Sequence, residues 1–145
     1  MDLGIPLKLT KWTLRVPPEE PELINIFCMF ALRPALGSFP VDERNFRFGD
    51  YALVLLDPQE FINRIHEKLK VLKIEHKANL VEYVPNDYSG KLGLFRKREA
   101  YGYQSEWRLV TYKGPGCQRR IEIGSIDDIS TMIASAEING VIRIT

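Results

Sequence analysis

The sequence predicts an α+β fold: one compact domain over residues 1–145, with a mixed, mostly antiparallel sheet of about five to six strands and two main helices. Three observations predict it. The run "YALVLLDPQEFINRIHEKLKVL" joins an apolar strand directly to an amphipathic helix. The run "EWRLVTYKGPGCQRRIEIG" reads as two strands around a turn, so hairpins accompany the crossover. The chain has 145 residues, 45% hydrophobic and 27% charged, which is enough for a core without covalent staples.

Taken in order, Leu7, Leu9, Trp12, Leu14 and Val16 alternate with polar residues and predict an extended piece or edge strand. The prolines of "VPPEEPEL" break it, since proline cannot donate to a ladder. "LINIFCMFALRP", residues 23–34, is continuously apolar and predicts a strand buried on both faces, or a short helix. Residues 35–50 read as a loop, and "YALVLL" (51–56) as a core strand. Asp57 is placed to cap the following helix, with Pro58 at its first position and Glu60 as capping-box partner. Phe61, Ile65, Leu69 and Leu72 fall on one face at helical spacing. "NLVEYVP" (79–85) alternates as a strand, "NDYSGKLG" is turn chemistry, and "LFRKREAYGYQ" reads as helical turns. After the hairpin, Ser125 and Asp128 form a capping box for a helix over "IDDISTMIASA". "NG" then turns the chain into a last strand, "VIRIT".

The net charge of +1 gives no global attraction to nucleic acid or membrane, so any polyanion site is a local patch. No stretch reaches the roughly 18 apolar residues that span a bilayer, and the N-terminus lacks the apolar core of a signal peptide. Cys28 and Cys117 lack metal-ligand spacing, and Cys28 in its apolar run reads as a buried thiol. A reduced, cytoplasmic protein is the simplest expectation. His66 and His76 read as plain surface or boundary histidines, and nothing in their spacing supports a metal site.

No phosphate-binding loop, dinucleotide fingerprint or serine elbow occurs in the sequence. The chemistry-bearing stretch is "YGYQSEWRL", residues 101–109. If Glu106 starts a strand, Gln104 and Glu106 point to the same side, two residues apart. A carboxylate beside an amide can hold a hydroxyl-rich ligand or stabilise positive charge, and Tyr101 and Tyr103 offer faces for a flat ring. Equally, Glu106 can be a structural ion pair with Arg108, which shares its strand face, or with Arg96, Lys97 or Arg98. The basic run around Lys91, Arg96, Lys97 and Arg98 is either a solvated face or a phosphate clamp for a dinucleotide or a nucleic-acid backbone.

Gln104-Ser105-Glu106 resembles the Q-x-E form of the signature of the ADP-ribosyltransferase superfamily. That resemblance implies NAD as substrate, with no metal. Glu106 would stabilise the ribosyl cation and Gln104 would orient a protein or nucleic-acid acceptor. Tyr101 or Tyr103 would stack on nicotinamide, and Arg96, Lys97 or Arg98 would contact the pyrophosphate. An early arginine, Arg15 or Arg33, would grip NAD. The wider run from Phe95 through Lys97, Tyr101, Tyr103 and Glu106 to Arg108 also looks like a motif of small bacterial and phage proteins, some associated with abortive infection. Another expectation is a non-catalytic interaction module that binds a protein or nucleic-acid partner, with Glu106 in an ion pair. A third is a metal-dependent nuclease: Glu106-Trp-Arg108 resembles an E-x-K half-motif, with Asp50 or Asp57 as upstream carboxylate.

Overall fold

Helix α1 (Pro58–Val71) forms where the sequence places its start signals. The Asp57 carboxylate accepts the Glu60 backbone N–H at 3.0 Å, and Pro58 opens the first turn, where an amide would lack a partner anyway. The capping box is only half made. Glu60 accepts instead from Arg64 Nε at 2.8 Å, one turn on, and Arg64 reaches Asp128 at 2.6 Å. Phe61, Ile65 and Leu69 are buried as the spacing predicts, whereas Leu72 sits at the C-cap and is 47% exposed. Replacing Asp57 by alanine is expected to lower stability by about 1 kcal/mol, measured by thermal denaturation as a loss of roughly 3 °C.

The computed structural model describes residues 23–144. The expected N-terminal strand, with Arg15, lies outside them. The fold is α+β, with seven strands among the described residues. Strands β1 (Asn25–Phe30), β6 (Glu106–Thr111) and β3 (His76–Leu80) form an antiparallel sheet with β6 in the middle. Strands β2 (Tyr51–Leu55) and β7 (Ser130–Ala134) pair antiparallel, while the short β4 (Glu82–Val84) and β5 (Arg96–Arg98) pair in parallel. Leu109 of β6 joins Phe61, Ile65 and Leu69 of α1 and Ile129 in a buried cluster, and Val110 is fully covered. Strand β6 is flanked on both sides, so its backbone N–H and C=O groups are paired along both edges. No helix among the described residues is long and apolar enough to cross a membrane.

Several expectations need correction. Strand β1 pairs only with β6 among the described residues, and Ile26 and Phe27 are 48% and 46% exposed, so it is not buried on both faces. "NLVEYVP" is two strands, because the Val81 N–H still donates to the Glu106 carbonyl of β6 at 2.8 Å, whereas the next N–H, of Glu82, donates to the Phe95 carbonyl at 2.8 Å and turns the chain to β5. "RRIEIG" forms no strand. Ile121 and Ile123 pack against the α1 cluster, and the Arg119 guanidinium holds the carbonyls of Tyr112 and Lys113, so side chains replace the ladder.

The expected helix from Ser125 is a turn followed by β7. Asp128 is drawn to Arg64, and Thr131 and Ile133 suit a strand paired with Val54 and Ala52. The Asn139-Gly140 pair lies inside the short helix α2 (Ile138–Val141). The Asn139 amide accepts the Val41 N–H at 2.7 Å and donates to the Val41 carbonyl at 2.9 Å. A side chain that replaces two ladder bonds in this way removes the need for a hairpin there. Residues 142–144 form no strand.

Candidate functional site

The stretch that carries Gln104 and Glu106 is held by its middle residue. A 3-10 turn, Glu99–Gln104, ends at Ser105, whose φ of 38° lies in the left-handed region that a residue with a Cβ seldom enters. The Ser105 hydroxyl donates to the Ala31 carbonyl at 2.7 Å, and the Ala31 N–H donates to the Ser105 carbonyl at 2.7 Å. This clamp ties the junction to the chain just after β1 and aims Gln104 and Glu106 the same way. The Glu106 backbone N–H donates to the Tyr83 hydroxyl at 2.9 Å, which fixes the start of β6.

Both carboxylate oxygens of Glu106 are occupied. Lys97 Nζ lies 2.5 Å from Oε1, and Arg108 Nε lies 2.8 Å from Oε2. The same Lys97 ammonium donates to Gln104 Oε1 at 2.5 Å, and Arg108 Nη1 donates to the Leu94 carbonyl at 2.8 Å. Glu106 is buried, and its side chain is 9% exposed beside Arg108 at 13% and Lys97 at 28%. Burial works to raise the Glu106 pKa, but hydrogen bonds and charge from Arg108 and Lys97 outweigh it and hold the carboxyl below its ordinary value. The Cys28 thiol, opposite Arg108 in the β1–β6 register, is pushed up by burial and by the neighbouring Glu106. Cys28 as a residue is exposed on β1 and forms no disulfide, which corrects its expected full burial, and only its sulfur is partly covered beside Glu106 and Arg108. Burial also pushes up the Tyr83 phenol.

Lys97, Gln104, Glu106 and Arg108 lie along one wall of a cleft of about 910 Å³ between the β1–β6 edge, strand β2 and the start of α1. Phe30, Phe46, Leu53 and Phe61 are among the apolar residues that line the rest. The polar group carries one carboxylate against two cations, so the wall has an excess positive charge inside a mainly apolar cleft.

No family model, curated protein or solved structure matches this chain. The candidate site therefore rests on its own geometry.

The sequence-derived residues divide sharply. Gln104, Glu106 and Lys97 meet at the cleft. Arg96 turns outward to Glu82 at 3.0 Å, and Arg98 holds the backbone carbonyls of Pro85, Asn86 and Tyr88. Of the expected phosphate clamp of Lys91, Arg96, Lys97 and Arg98, only Lys97 lines the cleft, because successive side chains on β5 cannot share one target. Tyr101 is 46% exposed, with the Lys97 ammonium 5.0 Å from its ring centre. Tyr103 is committed elsewhere: Arg44 covers its ring at 3.9 Å, and its hydroxyl accepts from Arg47 and from Gln104. Arg33 lines a second cavity of about 710 Å³ with Tyr83 and Ser105, away from the Glu106 cleft. Asp57 is a helix cap and Arg108 is an ion-pair partner, so neither of them serves the nuclease reading. Sequence reading missed Cys28 and Tyr83, which reach the site only through strand register and through the change of strand partner at Glu82.

Proposed function

We propose that the chain is a non-catalytic binding module whose cleft takes a small ligand with a flat apolar body and an anionic head. Lys97 and Arg108 would receive the head, and the apolar walls would receive the body. The observation that carries this reading is the Lys97–Glu106–Arg108 group, which places two cations and one carboxylate on the wall of an apolar cleft of about 910 Å³. Glu106 acts here as a counter-charge that keeps both cations desolvated and aimed. An incoming anion competes for Lys97, the more exposed of the two at 28%.

The test uses anilinonaphthalene sulfonate, which has this chemistry. Saturable binding is expected, weakened about tenfold by Lys97→Met, since a charge-assisted hydrogen bond is lost. Arg96→Met, outside the cleft, is expected to bind as the wild type does. No saturable binding, or equal binding by Lys97→Met and the wild type, overturns the proposal.

A second reading, ADP-ribosyl transfer with NAD as substrate, is favoured by the convergence of Gln104 and Glu106 on one ammonium at the same wall. It requires Glu106 to leave Lys97, because a carboxylate neutralised by two cations gives little stabilisation to a ribosyl cation. Nicotinamide release by the wild type, lost in Glu106→Gln under conditions where both are folded, would replace the binding reading with this one.

A further inference from the structure

His66 and His76, which read as isolated in the sequence, meet in the structure. His66 projects from α1 and His76 opens β3, and His66 Nδ1 lies 3.0 Å from His76 Nε2. The rings stand edge to face at 67°, with centres 5.1 Å apart.

The tautomers follow from the neighbours. His76 Nδ1 lies 2.9 Å from the Ile74 carbonyl, which can only accept, so the His76 proton sits on Nδ1. Its Nε2 lone pair therefore faces His66. This is the orientation that metal-ligating histidines use, with one nitrogen donating to a carbonyl and the other free for a cation. Without a metal, His66 Nδ1–H donates to that lone pair. Moving the His66 proton to its own Nε2 leaves two lone pairs 3.0 Å apart, and a turn of the exposed His66 ring brings both onto one cation.

We propose that His66 and His76 form a two-nitrogen site for a late first-row divalent cation, Cu²⁺ or Ni²⁺, which clips α1 to β3. Neighbouring ligands about 2.1 Å from a metal stand roughly 3.0 Å apart in a square or octahedral arrangement and roughly 3.4 Å apart in a tetrahedral one. The observed 3.0 Å separation matches the first, and neutral imidazole suits both ions. Glu75, next to His76, is drawn to Lys113 at 3.2 Å, and no group of three or more His, Cys, Asp or Glu gathers among the described residues. Water completes the shell on the side of His66, which is exposed. The site departs from the metal-free expectation of the sequence and is separate from the cleft.

Calorimetric titration of the full chain with nickel or copper chloride tests it. One-to-one binding is expected, weakened at least about tenfold by His66→Gln and by His76→Gln. Electron paramagnetic resonance of the copper form is expected to report two coordinated nitrogens in the wild type and one in each variant. If His76→Gln folds poorly, His66→Gln on the exposed helix surface carries the test. Absence of binding in the wild type, or equal binding by His66→Gln, overturns the proposal.

Discussion

Glu106→Gln is expected to destabilise the protein by about 3 kcal/mol, because it leaves two cations facing each other with no counter-charge. By the size scaling of thermal unfolding this is roughly a 10 °C loss in melting temperature. The value sits at the low end for a broken buried ion pair, since Lys97 is 28% exposed and can turn toward water. Arg108, at 13%, has no such exit, and its second anchor, the Leu94 carbonyl, keeps it in place. The double variant Lys97→Met/Glu106→Gln is expected to recover about 1 kcal/mol of that loss, because it removes the stranded ammonium. Additive losses in the double variant would show that the three side chains do not act as a unit.

The same group sets an acid limit. The folded Glu106 pKa lies below its ordinary value of 4.5. The folded state therefore holds fewer protons on this group than the unfolded state does as the pH falls through that region. Its contribution is complete above about pH 5 and is lost as the pH falls through the depressed folded value. Melting curves recorded from neutral pH downward are expected to show a smaller acid-induced loss in the double variant than in the wild type.

Leu69→Ala is expected to cost about 3–4 kcal/mol, since the side chain is fully buried and its removal leaves a cavity rather than solvated surface. Leu69 packs with Phe61 and Ile65 of its own helix, Leu109 of β6 and Ile129 before β7, so the cavity would open where three elements meet. Leu72→Ala, one turn fraction further on and 47% exposed at the C-cap, is expected to cost less than about 1 kcal/mol. Chemical denaturation of the two variants checks the contrast, and similar midpoints would contradict the packing described. Leu69 is outside the cleft lining, so its variant, where folded, is expected to retain ligand binding. Glu106→Gln is expected to alter both stability and binding.

Local signals were read correctly where they needed no distant partner. The start of α1 depends on Asp57 and Pro58, and the burial of Phe61, Ile65 and Leu69 on their spacing. Strand β6 was legible for the same reason. Where an assignment needed a partner, local pattern misled. "IDDISTMIASA" carries a helix-start signal, yet pairing with β2 and the pull of Arg64 on Asp128 make it a turn and a strand. "RRIEIG" alternates like a strand, yet its isoleucines are packed without a ladder. The basic run illustrates the same limit in the site. Arg96, Lys97 and Arg98 are one cluster in sequence, but β5 sends Lys97 to Glu106 on one side and Arg96 and Arg98 to the other, near Tyr88.

By itself, the sequence determined the α+β class, the one long helix among the described residues, the β6 strand, and the shared side of Glu106 and Arg108, since two-residue periodicity is a local property of a strand. Gln104, at the end of a 3-10 turn, joins them only through the left-handed Ser105 and its clamp to Ala31. Only the tertiary structure decided that Lys97 bridges Gln104 and Glu106, that Cys28 lies opposite Arg108, and that His66 meets His76. Each of these contacts joins residues on different elements. Their distances depend on strand register and on how the elements pack, and both are fixed by burial and pairing across the whole chain.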